Sequence, residues 1–281
     1  MSIKIYNDTS FKISDIITRS YSTSFSLAIR SFSRELQDSI TAIYAFVRIA
    51  DEIVDTFHES DKITLLNDLK KETFNAIENE ISVNPVLHSF QMTVNNYEIP
   101  LHYIHSFLES MEMDIYNNCY DRENYDRYVY GSAEVVGLMC LRVFCYGDDK
   151  LFEELKEPAK ALGSAFQKVN FLRDIKNDLK ERKRIYLPDA ENTASINSAN
   201  KQKLEKEIEK EFAAALKGIK QLPDSSRIAV LSAYQYYYML FKKIRKLEVE
   251  DLFLNRVSVS NVTKILLLLR NTVRLKLSMF F

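Results

Sequence analysis

Gln167-Lys168-Val169-Asn170-Phe171-Leu172-Arg173-Asp174-Ile175-Lys176-Asn177-Asp178 and Arg48-Ile49-Ala50-Asp51-Glu52-Ile53-Val54-Asp55 carry the same device. In each, two aspartates stand four residues apart, behind an arginine, inside an apolar-rich stretch. A spacing of four sets both carboxylates on one face of a helix, one turn apart. Carboxylates that close repel and resist burial unless a cation lies between them. Two such pairs far apart in sequence predict two helices facing each other across a cation-filled cavity.

The helical period lengthens both faces. Tyr44, Arg48, Asp51 and Asp55 share one, and Gln167, Asn170, Asp174 and Asp178 share the other. Ile43, Val47 and Val54 fall elsewhere and can pack into a bundle, while Glu52 points away from the Asp pair toward a rim. A row of carboxylate and amide oxygens suits Mg2+, a hard ion usually bound together with substrate phosphates. Arg48 and Arg173 add bidentate forks for phosphate oxygens. A single Asp-x-x-x-Asp reads most simply as a salt-bridged surface face. Two of them, each behind an arginine in strongly apolar segments, argue against that reading, because unpartnered buried charge is costly.

The rest of the chain is consistent with helices around such a cavity. Of 281 residues 46% are apolar, enough for a sizeable core. Five Gly and five Pro leave little punctuation for a strand-rich fold, and long stretches show the helical period, so the fold class is all-α. Helices are expected over about 14–30, 34–57, 61–79, 101–118, 158–179, 201–222, 225–249 and 259–277. A weaker segment lies between Pro85 and Pro100, and residues 121–131 open a further helix. Gly147-Asp148-Asp149 is a break, and 181–200 reads as a loop or flap. No repeat or linker marks a second domain, so 1–281 is expected to be a single helical domain.

Charge excludes one class of partner. Lys plus Arg (38) balances Asp plus Glu (39), so nothing points to nucleic acid. Cys119, Cys140 and Cys145 lack Cys-x-x-Cys spacing and read as reduced thiols of a cytoplasmic protein. The first ten residues hold no apolar run of a signal peptide, and Ile265 to Leu269 is too short to span a bilayer. His102, His105 and Glu109, with Asp55-x-x-His58, suggest a metal bundle superficially. A di-iron site needs two Glu-x-x-His motifs, and the chain has none.

Ordered motifs give a family resemblance. Tyr21-Ser22-Thr23-Ser24-Phe25, Tyr44 to Asp55, Tyr128-Val129-Tyr130-Gly131-Ser132-Ala133-Glu134-Val135-Val136-Gly137, Gln167 to Asp178, Arg184-Ile185-Tyr186-Leu187-Pro188, Tyr237, and Arg256-Val257 through Lys264 follow one another along the chain. Together they resemble the squalene/phytoene synthase family of head-to-head isoprenyl diphosphate synthases, with bacterial phytoene synthases most alike. The resemblance implies an isoprenoid synthase helical bundle around a deep apolar central cavity. It implies Mg2+ held by Asp51, Asp55, Asn170 and Asp174, with Asp178 completing the second motif. Arg48, Arg173 and Gln167 would contact diphosphate. Tyr21, Ser22, Thr23, Ser24, Phe25, Tyr44 and Tyr237 would line the substrate sites, and Tyr128, Val136 and Gly137 would lie beside the prenyl tails. Arg184 and Tyr186 would belong to a flap closing over the diphosphate. The chain departs from the family's pattern at Glu52, at Glu134 where relatives often carry a small residue, and at Lys183 where Gly is common.

The implied reaction joins two geranylgeranyl diphosphates through a cyclopropylcarbinyl diphosphate to phytoene, a step of carotenoid biosynthesis. Squalene or dehydrosqualene formation from two farnesyl diphosphates is the alternative. NADPH is expected only if squalene is the product, and no Gly-x-Gly-x-x-Gly fingerprint is present. A non-catalytic assembly protein is the reading of another class, and the intact acidic motifs oppose it. From Arg256 to Phe281 five basic residues (Arg256, Lys264, Arg270, Arg274, Lys276) occur with no acidic one, amid apolar residues. That suits peripheral contact with the inner face of an anionic membrane, where a very apolar product passes to a downstream desaturase. A last bundle helix with a basic outer face is the plainer account of the same pattern.

Overall fold

The computed structural model describes residues 2–188, 190, 192, 195–260, 262–263, 266–267 and 269–271, with the side chains of Thr23 and Ser24 left out. Among the described residues there are helices and no strand, apart from one isolated bridge between Cys119 and Ile185. In chain order the helices are α1 (Ile3–Tyr21), α2 (Thr23–Ile29), α3 (Arg34–Asp55), α4 (Lys62–Asn79), α5 (Pro85–Asn96), α6 (Leu101–Tyr116), α7 (Arg122–Val129), α8 (Val135–Phe144), α9 (Asp149–Asn177), α10 (Ser198–Ile219), α11 (Asp224–Ile244) and α12 (Val249–Leu254). Two π-helical turns interrupt the pattern, Tyr130–Glu134 between α7 and α8, and Asp178–Arg182 after α9.

Local chemistry sets the helix starts. Asp61 accepts from the Thr64 amide, Asn84 from the amides of Val86 and Leu87 with Pro85 behind it, and Asn197 from those of Ala199 and Asn200. Each cap satisfies amides that a helix start leaves open. The expected first helix over 14–30 is two helices, because Ser22 is extended and caps α2 by accepting from Phe25. The expected helix from Pro158 begins earlier, at the Asp148 cap, so Pro158 lies inside α9. A proline there removes one hydrogen bond, but its ring fills the notch at Gly218 of α10, where an added Cβ would come within 2.3 Å of it.

α3 runs through the middle, packed by α1, α4, α5, α6 and α8, and α9 lies between α8 and α10. On the core side of α3, the ring of Phe46 stacks on Phe90 at 3.9 Å and tilts against Phe107 at 5.5 Å. All three rings are buried, each contributing about 1.5–3 kcal/mol. The opposite face of α3, with Tyr44, Arg48 and Asp51, is turned to a cavity it shares with α9. Residues 183–197 are non-helical apart from short turns, a loop shorter at both ends than the expected 181–200 because the π turn runs to Arg182 and α10 starts at Ser198, and 189, 191, 193 and 194 lie outside the described residues. Of the last expected helix, 259–277, residues 259–260 are described as non-helical and 262–263, 266–267 and 269–271 as helical, so Lys264, Arg274 and Lys276 fall outside the described residues.

Candidate active site

One cavity of about 720 Å³ lies between α2, α3, α8, α9, α10 and α11. Along α9 its lining runs from Leu155 through Leu162 and Phe166 to Asp174, about 28 Å of helix at 1.5 Å per residue. One end is polar, with Arg48, Asp51, Gln167, Asn170, Arg173, Asp174, Arg182 and Arg256. The other is apolar, with Ile29, Phe32, Leu141, Phe144, Leu155, Ile219 and Leu222. Two aromatic stacks stand between, Phe25 on Tyr44 at 5.0 Å and Phe166 on Tyr237 at 3.9 Å.

The structure brings most of the expected residues to this cavity. Tyr21, Ser22, Phe25, Tyr44, Arg48, Asp51, Val136, Gly137, Gln167, Asn170, Arg173, Asp174 and Tyr237 line it. Thr23 and Ser24 begin α2 beside it, but their side chains are outside the described set. Asp55, Asp178, Tyr128, Arg184 and Tyr186 do not line it. Arg184 and Tyr186 are 5% and 6% exposed, packed behind the first acidic pair rather than lying over the polar end as a flap. The backbone explains this placement. The Arg184 amide donates to Asp178 O at 3.0 Å and the Ile185 amide to Asn118 O at 2.8 Å. Lys183 turns the chain there with φ +56°, a left-handed conformation that favours glycine.

The two acidic faces differ electrostatically. On α3, Arg48 is taken by Glu52, stands 3.8 Å from Asp51, and lies 4.5 Å over the Tyr21 ring. Glu52, expected to point away toward a rim, thus holds the arginine expected to reach phosphate oxygens. Burial and then the Asp55 charge push the Asp51 carboxyl up to about 7, with Arg48 offsetting part of the shift. On α9, Asp174 pairs with Arg173 and also receives Arg256 Nε at 2.7 Å. Burial raises this carboxyl too, but the hydrogen bonds and charges of the two arginines win and hold it below the usual carboxylate range. Asp178 is buried and is pushed up to about 7 by that burial, with Arg182 opposing. Arg182 joins the two acidic motifs, at 2.5 Å from Asp178 and 3.1 Å from Asp55.

These residues suit a divalent cation in one respect and lack a ready cage in another. Asn170 Oδ1 is buried with no hydrogen-bond partner, and burial together with the Asp55 charge pushes the Asp51 carboxyl up, a shift that a bound cation would offset. Among the described residues, however, no three acidic, histidine or cysteine side chains converge on one point. That arrangement fits Mg2+, which takes one or two carboxylates and completes its shell from phosphates and water. His102 and His105 are elsewhere, against Tyr103 at 4.3 Å and Phe74 at 4.2 Å.

Sequence reasoning missed Asp114, Arg182 and the pairing of Arg256. Asp114 had a signal, since it continues the apolar row Ile104, Phe107, Leu108, Met111 of α6, where a charge is out of place. The Arg182–Asp178 pair lies at i,i+4 spacing and was open to reading, whereas Arg182–Asp55 and Arg256–Asp174 had no signal, since both cross between elements distant in sequence.

Comparison with known proteins agrees with this geometry. Phytoene synthase of Mycobacterium tuberculosis is 28% identical over 183 residues, 64% of this chain and 58% of that one, so the chain spans less than two thirds of that relative. The 15-cis-phytoene synthase of a Paracoccus species is 26% identical over 266 residues, 88% of this chain and 86% of that one. In fold, the crystal structure of a dehydrosqualene synthase in complex with ligand superposes with a TM-score of 0.79, over 98% of this chain and 99% of that one, at 23% identity. The squalene/phytoene synthase family model matches residues 18–263, which include both acidic faces and almost the whole cavity wall, and the chain belongs to that family.

Proposed function

We propose that this chain is a Mg2+-dependent prenyltransferase that joins two geranylgeranyl diphosphates head to head, giving phytoene and releasing diphosphate. The observation that carries this is the polarity of the cavity. Carboxylates, an orphaned amide oxygen and arginine forks occupy one end, and about 17 Å of α9, from Phe166 back to Leu155, lines the apolar remainder. A diphosphate head suits the first part and a long hydrocarbon tail the second. The phytoene synthase names of the curated relatives support the longer substrate.

Asp51, Asn170 and Asp174 in the lining, with Asp55 and Asp178 of the same two motifs behind them, would hold Mg2+, which would supply a Lewis acid for the leaving diphosphate. Arg48 and Arg173 bind diphosphate oxygens bidentately. Burial pushes the Tyr44 hydroxyl up to about 12 and raises Tyr237 as well, so both keep their protons and can donate hydrogen bonds to diphosphate oxygens. The Phe25–Tyr44 and Phe166–Tyr237 stacks present ring faces to allylic cations. The apolar walls exclude water that would quench them. In the tail, Val262, Leu266 and Leu269 are 66%, 59% and 56% exposed at helical spacing beside exposed Arg270. This outward row supports an anionic membrane surface as partner.

The test is incubation of purified protein with geranylgeranyl or farnesyl diphosphate, with and without Mg2+ and NADPH, and identification of the hydrocarbon. Phytoene is expected from the C20 substrate with Mg2+ alone. Asp51→Asn and Asp174→Asn should each lower turnover about 100-fold or more. A C30 product without phytoene would transfer the reading to farnesyl diphosphate, and no diphosphate release from either substrate would end it.

A further inference from the structure

Behind the wall of the first acidic pair lies a buried carboxylate outside the cavity lining. Asp114 of α6 has a side chain 4% exposed. Its Oδ1 accepts from the hydroxyls of Tyr120 at 2.9 Å and Tyr186 at 2.8 Å, and its Oδ2 from Tyr128 at 2.8 Å. Phenols alone are weak compensation for a charge so far from water. The guanidinium that supplies it is Arg184, with Nη1 at 3.7 Å from Oδ2.

Arg184 carries the contact onward. Its Nη1 donates to Asp55 Oδ1 at 2.7 Å and to the Tyr186 hydroxyl at 3.1 Å, and its Nη2 donates to Val54 O at 3.0 Å. A chain Asp114–Arg184–Asp55 therefore runs from α6 to the end of α3. Asp55 has a second arginine of opposite character. Arg182 reaches Oδ2 at 3.1 Å, lines the cavity, and is 29% exposed against 6% for Arg184. Its other ion-pair partner is Asp178. One oxygen of Asp55 is thus tied from behind by a guanidinium fixed on several sides. The other is tied by a guanidinium that faces the cavity.

We propose that Asp114 is a positioning residue for the first acidic pair. Through Arg184 it fixes Asp55 by Oδ1, which leaves Oδ2, now paired with Arg182, as the oxygen that would be open to a divalent cation. This rests on the metal-binding reading of Asp51 and Asp55. Residues that orient metal ligands from behind change metal affinity by roughly 10–100-fold when replaced.

The experiment measures Mn2+ affinity by electron paramagnetic resonance, in the presence of inorganic pyrophosphate, with thermal melting recorded alongside. Asp114→Asn keeps the shape and removes the charge, and its Mn2+ affinity should fall roughly 10–100-fold. Tyr120→Phe removes one phenol and leaves the Asp114–Arg184 charge pair, and its affinity should stay within about 3-fold of the parent. A folded Asp114→Asn with a lower melting temperature and parental Mn2+ affinity would assign Asp114 a packing role and overturn the proposal. Should Asp114→Asn not fold, Arg184→Lys tests the same link, because lysine keeps the charge and loses the fork. Parental affinity in that variant overturns the proposal, and a comparable loss supports it. If the unmutated protein binds no Mn2+ with pyrophosphate, the underlying metal reading fails instead, which separates the two failures.

Discussion

Asp51 and Asp174 line one cavity and carry opposite electrostatic burdens. Asp174 is ionised by Arg173 and Arg256 before any ligand arrives. The Asp51 carboxyl is pushed up to about 7, first by burial and then by the Asp55 charge, and Arg48, engaged by Glu52, offsets only part of this. The second acidic face is therefore ready to accept a cation, and the first gains its charge when a cation comes. Glu134 shows the same physics away from the site. Burial pushes it up to about 7, with Lys160 at 3.8 Å offsetting part of the shift. Its folded value exceeds the unfolded one, so between about 4.5 and 7 the folded state holds more protons. Stability from this group is thus present at low pH and lost as pH rises through that window. Glu134→Gln should raise the melting temperature at pH 8 and leave it unchanged at pH 4. The gain is expected at about 1–2 kcal/mol once solvent screening is counted. Calorimetry at the two pH values checks this, and an equal shift at both would refute the burial account.

At the scale of elements, the π-helical turn Tyr130–Glu134 divides one continuous helical run into two jobs. Before it, Tyr128 turns its hydroxyl to Asp114. After it, Val136, Gly137 and Cys140 face the cavity. The extra residue in a π turn shifts the helical phase, so both faces can come from one run. α9 crosses this run closely at Gly163, where an added Cβ would lie 2.5 Å from Ala133 O and 3.2 Å from Glu134 Cα. Both are backbone atoms and cannot step aside. Gly163→Val should cost about 1–3 kcal/mol, seen as a fall of several degrees in the circular dichroism melting midpoint. An unchanged midpoint would mean the helices do not approach so closely. The helices themselves were largely legible, α3 almost to the residue, because their apolar period and caps are local. The Ser22 break and the early start of α9 were not, because a cap can outweigh a continuing apolar pattern or an internal proline.

For the whole molecule, the arrangement sets a polar mouth, an apolar interior and exposed apolar side chains at Val262, Leu266 and Leu269 among the described residues of the tail. No helix among the described residues is long and apolar enough to cross a membrane. Contact with anionic lipid would be at the surface. Co-sedimentation with phosphatidylserine vesicles should fall about 10-fold or more in the triple variant Val262→Asp, Leu266→Asp, Leu269→Asp and weaken with added salt. Binding that is indifferent to both would remove the membrane from the account.

The sequence by itself determined that the chain is helical, that Asp51 and Asp174 sit on faces with Arg48, Asn170 and Gln167, and that these faces suit a cation and phosphate. Each of these follows from spacing within one helix, where side chains three or four residues apart are neighbours whatever the rest of the protein does. Only the tertiary structure decided which guanidinium each carboxylate receives. Glu52 takes Arg48, Arg256 crosses to Asp174, Arg182 joins Asp55 to Asp178, and Arg184 turns inward to Asp114. Apart from Arg48–Glu52 and Arg182–Asp178, each pairing joins elements remote in sequence. The choice among partners depends on burial, which exists once the helices have packed around the cavity.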